Sequence, residues 1–137
     1  MTQQEDNKKV VLNAIALFNK RDLPGYIACH TQDATVWETF FPEPISMGES
    51  VKFVPQFWNA FPDVIVETKN IMCVGNTVVV ENFVSGTFKN DFLENKATNK
   101  KFKQREAVFF DIENGKIKMQ RVYMDQKALE QQQGILK

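Results

Sequence analysis

His30 is the only histidine of the chain, and Cys29 and Cys73 are its only cysteines. A zinc or iron centre built from several imidazoles cannot be assembled from one imidazole per chain, so no metal site is expected. The cysteines form no CxxC pair and sit among apolar residues, where a free thiol packs as a small hydrophobe. A Ser-His-Asp triad would have to use His30. The nearest candidate run, Gly48-Glu49-Ser50-Val51-Lys52, lacks the GxSxG form of a nucleophile elbow. His30 follows a predicted helix, where an imidazole also serves simply to complement the C-terminal dipole. No cofactor is expected, and carboxylates and carboxamides on strands are left as the chemistry-bearing groups.

The elements that must position them follow from periodicity. Thr2-Gln3-Gln4-Glu5 has the form of a capping box. Behind it Val11, Ala14, Ile15 and Phe18 make one apolar helical stripe, which ends at Asn19-Lys20-Arg21. Asp22 is a second N-cap, with Pro24 tolerated in the first turn, and a short helix closes near Thr31. Asp33 to Phe40 is β-branched and aromatic and reads as a strand, interrupted by Phe41-Pro42-Glu43-Pro44. A third helix starts at Gly48-Glu49-Ser50 and places Val51, Val54, Phe57, Trp58 and Phe61 on one face. From Asp63 the period changes to two. Strands are predicted from Val64 to Val74, Thr77 to Lys89, Lys100 to Ile112 and Lys116 to Met124. Asn114-Gly115 supplies the positive φ of a tight hairpin, and Asp125 caps a final helix through Leu129. Helices first and long strands afterwards indicate an α+β fold with helices on one side of a mostly antiparallel sheet.

The chain has 137 residues, enough for a single domain (1–137) with one core. Hydrophobic residues make up 43%, with 12 Phe, so that core can be large. Seventeen basic residues balance 17 acidic ones, which argues against nucleic acid, a partner that demands a basic surplus. Lys96, Lys100, Lys101, Lys103 and Arg105 form a local basic stretch that reads as a solvated face. The polar run from Met1 to Lys9 lacks the apolar core of a signal peptide, and no apolar run is long enough to span a bilayer. A reduced, cytoplasmic setting without a membrane partner is expected.

Six segments in order resemble the SnoaL-like family of the nuclear transport factor 2-like superfamily. They are Phe61-Pro62-Asp63, Gly75 to Glu81, Ser85-Gly86-Thr87-Phe88, Ala97 to Phe102, Asn114-Gly115-Lys116-Ile117, and Asp125 with Gln133-Gly134. The resemblance spans about Val10 to Gly134. It implies a cone-shaped, strongly curved sheet covered by three helices of the N-terminal half, a pocket between them, and a homodimer. The motifs also have physical roles. Pro62 stops the third helix, Asp63 accepts amide bonds, Asn99 tolerates a left-handed backbone, and Gly86 marks a bulge or a close backbone approach.

In polyketide cyclases of this kind an Asp and a His on the last strand line the cone. Aligned through Gly115-Lys116-Ile117, this chain carries Val122 at the Asp position and Gln120 at the His position, while Phe88 replaces the His of a Gly-Thr-His. Valine cannot abstract a proton, so the cyclase acid/base residues are missing. Strand alternation places Glu106, Val108 and Phe110 on one face, and Gln120, Val122 and Met124 on one face of the next strand. Two roles are open to Glu106: a general acid or base whose pKa is raised by apolar neighbours, or an ion-pair partner of Arg105, Arg121 or a lysine. Trp37, Phe57, Trp58 and Asn82 complete the candidate ligand-binding set, the aromatics either lining a pocket or filling the core. The expected function is binding of a small apolar or partly polar molecule. An isomerase, lyase or hydrolase acting through Glu106 is the enzymatic alternative, and a dimeric interaction module with a filled cone is the third. Phe83, Phe109 and Tyr123 point outward and are expected to make the dimer face.

Overall fold

The computed structural model describes residues 2–39 and 41–136. Met1, and Phe40 at the end of the first predicted strand, lie outside the described residues. The element order is α1 (Gln3–Asn19), α2 (Leu23–Ala28), β1 (His30–Glu38), β2 (Ile45–Ser46), α3 (Met47–Ala60), β3 (Ile65–Val74), β4 (Thr77–Thr87), β5 (Lys101–Glu113), β6 (Lys116–Met124) and α4 (Gln126–Gln133). The sheet has six strands in the order β2-β1-β6-β5-β4-β3. All neighbours are antiparallel except β1 and β6, which run parallel, because the chain crosses from β1 through α3 and the meander before returning beside it.

Local chemistry explains the element boundaries. Thr2 and Asp22 accept the amides of Glu5 and Gly25 as N-caps. The third helix starts earlier than its glycine suggests. Ser46 caps it, with Glu49 reaching back to the Ser46 amide in a complete capping box. Ile45–Ser46 also forms a two-residue strand on the edge of β1 that the proline-rich stretch hid. The second helix closes at Ala28, short of Thr31, because His30 already belongs to β1. The final helix continues past Leu129 to Gln133, where Gly134 takes a left-handed φ of 79°. Asn114 and Gly115, at φ 51° and 76°, form the expected hairpin turn, and Asn99 is left-handed at φ 61°.

Two of the sequence motifs join in space. Asp63, after α3, accepts the amide of Thr87 at 2.7 Å and its hydroxyl at 2.7 Å, tying the helix end to the end of β4. Gly86 is needed beside it, since a Cβ there would stand 3.3 Å from both Asp63 Oδ1 and the Phe102 ring. Asn19 adds a second tie, exchanging two hydrogen bonds with the Val66 backbone at 2.8 and 2.9 Å. These polar ties hold α1 and α3 over the inner face of the sheet. One core cluster gathers Val11 and Ala14 of α1 with Val78, Val80, Val108, Ile117 and neighbours, and a second gathers Phe61, Val64, Phe88 and Phe102. Between these two cores the layers do not close completely.

Candidate functional site

The gap is a cavity of about 130 Å³ between the inner sheet face and the helices. Its walls come from Phe18 of α1, Phe57 of α3, Val84 of β4, Val108 of β5, Val122 of β6 and Leu129 of α4. Polar groups reach it from few places, and the cross-strand register explains which. Asn82, Glu106 and Met124 lie in one row across β4, β5 and β6. In the next row Val80, Val108, Val122 and Glu38 are successive partners, the last across the parallel β6–β1 pair. Gln120 lies one row further, opposite Phe110 and Val36. Thus position 122 carries no carboxyl, but a carboxyl stands one strand to the side at Glu38.

Glu106 accepts a hydrogen bond from Asn82 Nδ2 at 2.9 Å. It does not pair with Arg105, Arg121 or a lysine, the alternative the sequence left open. Those cations project to the other side of the sheet, where Arg121 binds Asp111 and Arg105 lies over the Phe83 ring. Burial raises the Glu106 pKa, and the Asn82 bond offsets part of that by favouring the charged form. Glu38 is more strongly perturbed. Burial, with the nearby Glu106 charge adding to it, pushes its pKa up to about 8. Both carboxyls line the cavity. At neutral pH Glu38 therefore holds its proton.

Gln120 is the centre of a small network. Its amide donates to the Tyr26 hydroxyl at 2.9 Å and to His30 Nε2 at 2.6 Å. His30 Nδ1 in turn donates to the Tyr26 carbonyl at 2.8 Å, near the end of α2. Both ring nitrogens are thereby satisfied by one neutral tautomer, in line with a pKa lowered by burial. His30 does bond a helix-end carbonyl, yet as a neutral donor that also fixes Gln120. Burial pushes the Tyr26 phenol up to about 12, so it stays protonated. Since its oxygen accepts from Gln120, its proton is left for the cavity.

Of the residues singled out from sequence, Glu106, Phe57, Asn82, Val108, Gln120 and Val122 all line this cavity. Two do not. Trp37 projects from the outer face of β1 and stacks at 5.2 Å on Tyr123, because alternation in β1 turns Ala34, Val36 and Glu38 inward instead. Trp58 lies one position round the helix from Phe57, packs on Phe18 at 5.3 Å and carries the Arg21 guanidinium over its ring. Glu38 and Tyr26 carry no sequence expectation, and His30 is expected only at the helix end. Period-two alternation through β1 was the signal for Glu38, while nothing in sequence spacing brings Tyr26 to Gln120. No group of three or more His, Cys, Asp or Glu residues suited to a metal occurs among the described residues. No described helix is long and apolar enough to cross a membrane.

Comparison with known proteins agrees with this fold. The chain is similar to a putative hydroxylase, AclR, from Streptomyces galilaeus, at 22% identity and a TM-score of 0.86, covering 98% of this chain and 100% of that one. It is similar to a putative SnoaL-like polyketide cyclase from Jannaschia at 15% identity and a TM-score of 0.88, covering 97% and 95%. An LEH-like epoxide hydrolase of M. tuberculosis shares the fold at 13% identity and a TM-score of 0.78, covering 96% of this chain and 92% of that one. At these identities the likeness is one of fold. No curated protein matches the sequence significantly. The SnoaL-like polyketide cyclase family matches residues 8–133, and the chain belongs to that family.

Proposed function

We propose that this domain binds a small, predominantly apolar molecule in the cavity and orients it by one polar group. The carrying observation is a cavity of about 130 Å³ whose apolar walls surround a few polar groups: the carboxyls of Glu38 and Glu106, the Tyr26 hydroxyl, and the carboxamides of Asn82, Gln104, Gln120 and Gln133. Concave apolar sites with few placed polar groups are the usual form of ligand pockets. An interaction module with a filled cone is the weaker reading, since the space between sheet and helices is open. Thermal-shift screening of small apolar metabolites tests the proposal, because a ligand of the native state raises the melting temperature by mass action. Val108→Phe, which fills the cavity from its wall, should abolish the shifts. Shifts that persist in a folded Val108→Phe protein would place binding elsewhere.

A second reading, acid/base catalysis of the isomerase, lyase or hydrolase type, is favoured by one observation. Two carboxyls line one cavity, Asn82 favours the charged form of Glu106 alone, and Glu38 is held neutral at pH 7. Groups whose environments separate their titration can divide acid and base roles. Glu106 would accept the substrate proton and Glu38 would donate one, each within hydrogen-bond reach of its atom. If Glu106→Gln left a demonstrated turnover unchanged, this assignment would fail. We further propose a homodimer through the outer sheet face, where Trp37, Phe109 and Tyr123 form one aromatic cluster.

A further inference from the structure

The charges available to the cavity are of one sign. Two carboxyls, Glu38 and Glu106, line it together with the carboxamides of Asn82, Gln104, Gln120 and Gln133 and the Tyr26 hydroxyl. Asn82 is 2% exposed, and its Oδ1 is buried without a hydrogen-bond partner. The bond from Nδ2 to Glu106 dictates this, because an amide that gives its NH₂ to a carboxylate must turn its oxygen elsewhere. Such a buried acceptor costs free energy until a donor meets it. Among the described residues it meets no donor; the buried Thr68 hydroxyl, opposite Asn82 in the β3–β4 register, is likewise unpartnered, and the Glu38 carboxyl accepts no hydrogen bond.

Nor is there a counter-charge. Among the described residues no lysine or arginine lines this cavity or the adjoining chamber of about 70 Å³ that shares Phe18, Tyr26, Glu38, Phe57 and Gln120 with it; Lys69 and Arg105 line a separate groove that borders Asn82, Gln104 and Glu106. His30, the one imidazole, is neutral and has both nitrogens occupied. The rings of Phe18, Tyr26 and Phe57 stand around the same space, and aromatic faces attract a desolvated cation. Resting on the binding reading above, we propose that the ligand is an organic cation. It is a small hydrophobic amine whose ammonium donates to the carboxyls of Glu38 and Glu106 while its apolar part fills the cavity.

The titratable groups facing this space are few. Glu38 comes from β1, Tyr26 from α2 and Glu106 from β5, whereas α1, α3, α4, β3, β4 and β6 contribute none; His30 stands behind Gln120, and Glu106 also borders a neighbouring groove lined by Lys69, Glu81, Arg105 and Asp125. Burial raises the Tyr26 phenol to about 12 and lowers the His30 imidazole, which favours the neutral form of each. An entering ammonium must therefore expel the Glu38 proton, which is bound up to about pH 8. Binding then couples to proton release. A neutral ligand would instead use the protonated Glu38 and the Tyr26 hydroxyl as donors, and would release nothing.

Calorimetric titration of the full chain with 2-phenylethylamine and its neutral isostere 2-phenylethanol, from pH 6 to 8 in buffers of different ionisation enthalpy, separates the two. The amine should bind with release of about one proton, its affinity rising up to about tenfold per pH unit. The alcohol's affinity should not rise. Glu38→Gln and Glu106→Gln, checked by melting, should each weaken the amine about tenfold or more and leave the alcohol within about twofold. Alcohol binding as tight as the amine, or amine binding without proton release, overturns the cation proposal and leaves the cavity reading standing. Binding of neither probe, with no shift from any apolar metabolite, overturns both. The wild-type proton count decides the matter even if a variant fails to fold.

Discussion

Glu38 ends β1 directly beside Val122 in the register, and its burial makes it a carboxyl whose folded pKa lies well above the ordinary value. The folded state thus binds a proton that the unfolded chain has already lost between about pH 4.5 and pH 8. Its contribution is complete at low pH and is lost as pH rises through the folded value, at a slope of up to about 1.4 kcal/mol per pH unit. Denaturant unfolding of Glu38→Gln should lack most of this slope, so the variant gains on the wild type as pH approaches 8. Gln120 carries a different prediction. Gln120→Leu strips the bonds to Tyr26 and His30 and leaves a buried imidazole nitrogen unpaired. A loss of about 1–3 kcal/mol is expected from equilibrium unfolding, the usual cost of orphaning a buried polar group.

At the scale of elements, short polar ties add to the two apolar clusters in holding the helices over the cavity. Asp63 spans from the end of α3 to Thr87 with two bonds, and Asp63→Ala frees that end. About 1–2 kcal/mol of destabilisation is expected in chemical unfolding, in the range of other lost capping bonds. The C-terminal helix depends on Gly134, whose backbone is left-handed and where a Cβ would stand 2.9 Å from Lys100 Cδ. Gly134→Ala should therefore loosen α4, which supplies Leu129 and Gln133 to the cavity wall. Faster amide exchange along residues 126–133, with the sheet unaffected, is the expected signature.

For the whole molecule, one face of the sheet is covered by helices and the other is not. On the uncovered face Tyr123 is 45% exposed yet stacks with Trp37 and Phe109, and Arg121 pairs with Asp111 beside them. An aromatic cluster rimmed by charges suits a second copy, whose own cluster would bury it. Light scattering at micromolar concentration should give twice the chain mass, and Tyr123→Lys should shift it toward the monomer. A wild-type monomer would contradict the proposed dimer.

The sequence by itself determined the order and kind of nearly every element, because periodicity, caps and turn residues act within a few positions. Asn114-Gly115, Asp22, Asp125 and the alternation of Glu106, Val108 and Phe110 all do in the fold what their neighbours in sequence imply. The resemblance added the architecture and the absence of a carboxyl at Val122. Tertiary structure alone decided how the polar groups meet. That Glu38 lies across from Val122 depends on the parallel pairing of β1 with β6, strands separated by most of the chain. That Gln120 bonds Tyr26 and His30 depends on α2 settling against that same face. That Asn82 is left with a buried acceptor depends on which of its atoms Glu106 claims. Hydrogen bonds and desolvation act over a few ångströms in space, a distance that sequence spacing does not measure, and they fix the charges of this cavity.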